Sequence, residues 1–271
     1  MAIKKIIACS DIHVRNINRM EETYEVLSTF IEKCKGIAAE YNRDEVRIVV
    51  AGDIFTNKIN VSNEANLAVS WFFRSLGEIA KTIVICGNHD CLMNNKGRVD
   101  SITPVTSIAN DENVIYLDGE LDYMSGVLTD DNIAWCLYST FDDFNKPDLD
   151  NLEGYVKVGL IHGDINGATT DTDRVSTNKI DLGVFSGLDF VIAGHIHKHQ
   201  ELKKNGVKAV YCSSLIQQAF DENIYGHGFV VWDVENKDYE FVEVESNYGY
   251  YKFKISTPED INNDKEQLIN I

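Results

Sequence analysis

The chain has 271 residues, 44% of them hydrophobic, and a formal net charge of −18, which is long enough for one large domain with a two- or three-layer core. No apolar run approaches the roughly 18 residues of a membrane-spanning helix, and the opening MAIKKIIACSDIH turns polar at Ser10, so the sequence predicts a cytoplasmic protein, neither secreted nor membrane-spanning. The charge argues against a basic face that grips nucleic acid unaided, because phosphate neutralisation supplies most non-specific affinity; a polyanionic substrate would need metal ions or a partner subunit to bring positive charge.

Five short apolar, β-branched runs recur along the chain. The first, IKKIIAC (3–9), is followed by a helix predicted over Arg19 to Tyr41 from apolar residues at spacings of three and four. VRIVVA (46–51) comes next, then a second helix over Ser62 to Lys81, capped by Ser62 with Glu64 in its first turn, and then TIVIC (82–86). Strand, helix, strand, helix, strand is the pattern of right-handed βαβ crossovers. VKVGLI (156–161) and LDFVIA (188–193) complete the set, and the richness of these runs in Ile and Val suits strands buried on both faces. Beyond them, VKAVYCSS (207–214), GFVVWDVE (228–235), DYEFVEVE (238–245) and YYKFKIS (250–256) predict antiparallel strands separated by turn residues. The predicted fold class is α/β, a sandwich with parallel and antiparallel parts over residues 1–255, and 256–271 reads as a polar tail. The cysteines Cys9, Cys34, Cys86, Cys91, Cys136 and Cys212 are dispersed without a CxxC pair and predict reduced, buried thiols.

Each apolar run is followed at once by a polar cluster, and the carboxyl ends of strands are where open α/β sheets bind ligands. The clusters are SDIH (Asp11, His13), GD (Asp53), GNHD (Asn88, His89, Asp90), HGD (His162, Asp164) and GHIH (His195, His197). Six of the seven histidines fall in these clusters or two residues beyond, which chance does not easily produce. Aspartate, neutral imidazole and an amide carbonyl form a mixed nitrogen and oxygen donor set suited to manganese, iron or zinc. Asp11, His13, Asp53, Asn88, His162, His195 and His197 are too many for one tetrahedral ion. They suit two ions roughly 3.5–4 Å apart that share a carboxylate and clamp a phosphoryl transfer. Gly52, Gly87, Gly163 and Gly194 would let the backbone approach such a centre closely.

The ordered series DIH, GD, GNHD, HGD, GHIH resembles the five motifs of the calcineurin-like metallophosphoesterases. That resemblance implies a sandwich of two mixed β-sheets flanked by helices, with the metal site at the strand C-terminal ends. YCSSLIQQAFDENIYGHGFVVWDV (211–234) and GDIFTNKINVSNEAN (52–66) further resemble SbcD-type nucleases, the prokaryotic branch of the meiotic-recombination-eleven family. The match covers most of 3–255 and is loose over 92–155. Ser213 stands where that branch has glycine, and residues 256–271 would be the start of a missing or reduced capping region.

By the family pattern one metal is held by Asp11, His13 and His197 and the other by Asn88, His162 and His195, with Asp53 bridging. Two divalent ions, manganese first with magnesium, iron or zinc as alternatives, would activate a hydroxide to attack phosphorus. His89 would protonate the leaving oxygen, and Asp90 would orient His89. A single buried histidine at a strand end is more often a hydrogen-bonded core residue than a ligand; four together reverse that. His199 and His227 are expected outside the donor set, Asp164 as a structural turn residue, and Trp71, Phe72 and Phe73 as helix packing rather than a base-stacking platform.

The resemblance therefore implies a manganese-dependent DNA exonuclease or endonuclease acting in repair, recombination or replication. It would be homodimeric and paired with an SbcC-type ATPase subunit. Hydrolysis of a small phosphate ester or cyclic nucleotide is the alternative that the acidic charge tolerates better. A non-catalytic interaction module ranks last because no ligand of the set is lost. Phosphoprotein phosphatases fit poorly, since Asp90 and Ile54–Phe55 stand where their motifs place glutamate and arginine.

Overall fold

A computed structural model describes residues 1–109, 111–178, 180–251 and 257. The chain runs β1 (Lys5–Cys9), α1 (Met20–Ala38), β2 (Val46–Ala51), α2 (Asn63–Ile79), β3 (Lys81–Ile85), α3 (Ile102–Ala109), β4 (Val114–Tyr116) and α4 (Leu117–Glu120). It continues through β5 (Gly126–Asp130), β6 (Ile133–Tyr138), β7 (Val156–His162), β8 (Phe190–Gly194), β9 (Gln200–Lys204), β10 (Val207–Tyr211), β11 (Gly228–Asp233) and β12 (Asp238–Glu243).

The five apolar runs all become strands. β2 and β8 are buried at every position, and apart from Arg47 their side chains meet apolar neighbours on both faces, so the sequence shows no alternation. The strands sort into two six-stranded mixed sheets, in the order β12-β11-β1-β2-β3-β4 and β5-β6-β7-β8-β10-β9. Ile6, Val49, Ile83 and Trp232 of the first sheet meet Trp135, Leu160, Phe190 and Ile192 of the second in a core between them. Phe190 and Trp232 stack at 4.0 Å and 12° across this core. The first sheet's other face is covered by α1 and α2 through Phe30, Phe72 and Phe73, and the second sheet's by Phe185, Leu182 and Ile165. Arg47 of β2 forks onto Asp130 of β5, a buried pair that ties the sheets at the end opposite the motif loops.

Ser62 caps α2 as expected, its hydroxyl accepting from the Ala65 N–H. The C-terminal strands depart from expectation. β10 is parallel to β8 and antiparallel to β9, whereas β11 lies antiparallel between β1 and β12 in the other sheet. The cause is the 212–227 loop, which crosses from one sheet to the other. The strand expected over 250–256 falls mostly outside the described residues, as does nearly all of the 256–271 tail; Tyr250 and Tyr251 are not in a strand.

β1, β2 and β3 are mutually parallel, and so are β6, β7, β8 and β10. Parallel pairing puts their carboxyl ends together, and His162 pairs in register with Gly194. The polar clusters that follow these strands are thereby gathered at one edge of the sandwich. Among the described residues no helix is long and apolar enough to cross a membrane.

Candidate metal centre

Two groups of potential ligands form where the strand ends meet. Asp11, His13 and His197 bring their ligand atoms within 4.8 Å of one another, and so do Asp53, His162 and His195. Each group draws on both sheets. The His13 and His197 Nε2 atoms face each other at 3.2 Å. Asp53 Oδ2 lies 3.6 Å from His13 Nε2 and 3.2 Å from His162 Nε2, so one carboxylate oxygen looks toward both groups. His195 Nδ1 lies 2.8 Å from Asn88 Oδ1, aiming those two residues at one spot.

The backbone is bent to allow this. Asp11 (φ 53°), His13 (φ 50°), Asp53 (φ 51°) and His195 (φ 100°) all take positive φ, a conformation that costs a non-glycine residue on the order of 1–3 kcal/mol and clusters at functional sites. A methyl group on Gly87 would overlap the Asp53 backbone nitrogen, and one on Gly194 the Ala51 carbonyl, so both loops require glycine for close approach. Gly163 instead lies against the Phe144 ring.

Hydrogen bonds fix which imidazole nitrogen faces inward. His162 Nδ1 donates to the Ala51 carbonyl (2.8 Å), leaving a buried Nε2 with no properly aligned partner despite its nearness to Asp53. His197 Nδ1 donates to Glu222 Oε1 (2.7 Å), again turning Nε2 to the centre. Burial and the surrounding charges set the protonation. Burial pushes the His13 imidazole down to about 4. Burial opposes the charged form of His162 as well, but the Asp53 and Asp11 carboxylates outweigh it and raise that ring to about 10. His197 rises to about 9, with Glu222 and Asp11 overcoming burial. Burial would raise Asp53, yet His162 and His13 hold it well below the usual carboxylate range.

The residues present fit a pair of divalent cations. A buried imidazole nitrogen without an aligned partner, two facing Nε2 atoms and a carboxylate shared between two groups are what a mixed nitrogen and oxygen dinuclear site requires.

His89 stands at the rim. Its N–H donates to Asp53 Oδ1 (2.7 Å) and its ring Nδ1 donates to the Thr56 carbonyl (3.0 Å), so Nε2 is the free nitrogen. Its ring meets His13 edge-on at 4.9 Å. Asp90 does not orient it. The Asp90 carboxylate accepts from the N–H groups of Ile54, Phe55 and Gly87, stitching the second motif loop to the third; its reach is toward buried backbone donors, and the Thr56 carbonyl holds His89 instead. His199 is also remote from the centre, donating to the Tyr211 carbonyl and stacking on Phe241 at 4.2 Å. His227 is buried between Ser214 and the Asn223 carbonyl, closing the 212–227 loop. Glu222 escaped motif reading although it lies in the segment quoted above. A cavity of about 590 Å3 opens beside His195 and His197, lined by Asp164, Asp171, Asp221 and Glu222 with Arg174 and several hydroxyls. All six cysteines are free and buried.

Residues 4–199 match a family model described as calcineurin-like phosphoesterase. The uncharacterized protein R555 of Acanthamoeba polyphaga mimivirus is 35% identical over 268 residues, covering 93% of this chain and 19% of its own length. The uncharacterized metallophosphoesterase YhaO of Bacillus subtilis is 26% identical over 175 residues, covering 60% of this chain and 40% of its own length. The chain thus spans less than half of either curated relative. Among solved structures, TT1561 of Thermus thermophilus covers 90% of this chain and 100% of its own (TM-score 0.54, 13% identity). A dimetal phosphatase from Danio rerio covers 85% and 92% (TM-score 0.53, 13% identity). At such identity the likeness is one of fold.

Proposed function

Because the chain belongs to the calcineurin-like phosphoesterase family, we propose that this metallophosphoesterase is a manganese-dependent DNA nuclease of the SbcD type, acting in repair, recombination or replication. The observation that carries the finer reading is the 212–227 loop. The segment whose sequence resembles SbcD-type nucleases is also the one that folds onto the metal centre, through Glu222 on His197 and Gln218 on the Ile12 carbonyl.

Asp11, His13 and His197 would hold one cation, Asn88, His162 and His195 the other, and Asp53 would serve both. A bound pair of divalent ions supplies Lewis acidity to the phosphate and lowers the pKa of a nucleophilic water. The protein's own part is positional. Asp53 takes the His89 N–H on one oxygen and faces both ligand groups with the other. His89, with Nδ1 committed to Thr56, presents Nε2 as the atom from which a proton can pass to the leaving oxygen. Asp90 holds the two loops that carry Asp53 and Asn88 at fixed separation. An SbcC-type ATPase partner and a homodimer belong to the same proposal, since a chain of charge −18 gains most from basic residues supplied by another subunit.

The test is incubation of the purified chain with linear and hairpin DNA and manganese, beside a His89→Ala variant. Cleavage that falls about 10²- to 10⁴-fold in the variant supports the proposal; wild-type cleavage no greater than the variant's rejects it for this chain. The acidic lining of the 590 Å3 cavity favours a second reading, a small phosphate ester or cyclic nucleotide as substrate. Turnover of such esters without DNA cleavage would select it.

A further inference from the structure

We infer that Arg15, Phe220 and Tyr250 form a subsite for the nucleotide next to the scissile phosphodiester, Arg15 contacting phosphate and Phe220 stacking on the base. The inference rests on the nuclease reading. Arg15 lies two residues beyond His13 and is half-buried. Its terminal nitrogens donate to the Gln218 carbonyl (2.9 Å) and the Tyr250 hydroxyl (3.2 Å), and its Nε is buried with no hydrogen-bond partner among the described residues. Arg19 is paired with Glu22 and Arg47 with Asp130; among the described residues none of Arg15's hydrogen-bond partners is a carboxylate. In a strongly acidic molecule, a half-buried guanidinium two residues beyond His13 is placed to meet phosphate through the second hydrogens of its terminal nitrogens.

Phe220 is held in the same neighbourhood. Glu222 accepts from His197 on one oxygen and from the Gln218 N–H (2.7 Å) on the other, and Gln218 donates to the Ile12 carbonyl (3.3 Å). The loop is thus pinned to the metal centre on both sides of Phe220, a residue that is nevertheless 54% exposed. That ring lies against Tyr250 at 4.5 Å and 44°, and the Arg19 guanidinium sits over the Tyr250 ring at 4.6 Å. A propped, solvent-facing phenyl beside an uncompensated arginine is the pairing by which single-stranded nucleic acid is bound, through stacking that tolerates any base and contact with the backbone. A protein-docking patch would be a broader apolar surface without the unpaired cation.

The experiment uses 5′-labelled single-stranded oligonucleotides, intact or with one abasic nucleotide, beside bis(p-nitrophenyl) phosphate as an ester without a base, all with manganese. The abasic nucleotide flanking the cut should raise KM for the wild-type chain about tenfold and have no further effect in Phe220→Ala, while Phe220→Trp restores the wild-type pattern. Arg15→Ala should weaken oligonucleotide binding uniformly and reduce the salt slope by about one. An abasic penalty equal in wild type and Phe220→Ala overturns the subsite alone. Hydrolysis of the ester with none of the oligonucleotides overturns the nuclease reading and the subsite with it.

Discussion

Glu222 decides which nitrogen of His197 faces the centre. By accepting the Nδ1–H it turns Nε2 to the centre, the atom that meets His13 Nε2 at 3.2 Å and that would bind an ion on losing its own proton. Removing such a partner ordinarily costs 10- to 100-fold in metal affinity, so Glu222→Ala should weaken manganese binding by about that factor in calorimetric titration. An unchanged affinity would show that the loop positions His197 without it. Asp90 works on backbone rather than on a ligand. Asp90→Ala would strand the buried N–H groups of Ile54, Phe55 and Gly87, and with each worth roughly 1–3 kcal/mol the variant should lose at least about 3 kcal/mol in urea melts. These two residues mark what motifs conceal. GNHD told the side-chain types at one strand end, but which donor each carboxylate would find depends on Ile54 and His197, 36 and 25 residues away along the chain from Asp90 and Glu222.

At the scale of elements, Asp118 bridges the two sheets near the ends that carry the motifs. Its carboxyl accepts from the Cys86 N–H just past β3 (2.8 Å) and from the Ser139 hydroxyl just past β6 (2.6 Å). Burial raises it to about 6 against the ordinary 3.8, despite those bonds. Since the folded value lies above the unfolded one, its contribution to stability is complete below about pH 4 and is lost as pH rises through 6, a change of order 2–3 kcal/mol. Asp118→Asn can keep both bonds, accepting from Cys86 and donating to Ser139, without the buried charge. The stability of wild type relative to this variant should therefore fall between pH 4 and 8, measured by urea unfolding; a constant difference would show that Asp118 does not titrate in that window. Such cross-sheet ties were not legible in the sequence, whereas strands buried on both faces were. IKKIIAC and VRIVVA declare themselves because their Ile, Val, Ala and Cys side chains are buried among apolar neighbours on both faces. β9, QELKK, does not, being a polar strand paired among the described residues only with β10. The sorting of β10 and β11 into different sheets was likewise hidden, because it depends on the path of the 212–227 loop and not on either strand's composition.

The whole molecule is two sheets whose motif-bearing ends converge on one cluster of acids and imidazoles. Asp11, His13 and Asp53 follow strands of one sheet; His162, His195 and His197 end or follow strands of the other. Ions held by both groups would therefore cross-link the sandwich as well as serve chemistry, and would offset part of the self-repulsion of a chain at −18. A ligand that binds only the folded state stabilises it by about 2.7 kcal/mol at a concentration 100 times its Kd. In a protein of this size that corresponds to several degrees in melting temperature. Manganese should accordingly raise the melting temperature of the chelated protein by that amount, and His162→Ala or Asp53→Ala should blunt the rise even where their own folding is little changed. The sequence placed these donors at strand ends; that they span the gap between sheets follows only from the packing, and the melting experiment reads that packing directly. A rise of the same size in wild type and both variants would mean the ion binds elsewhere on the acidic surface.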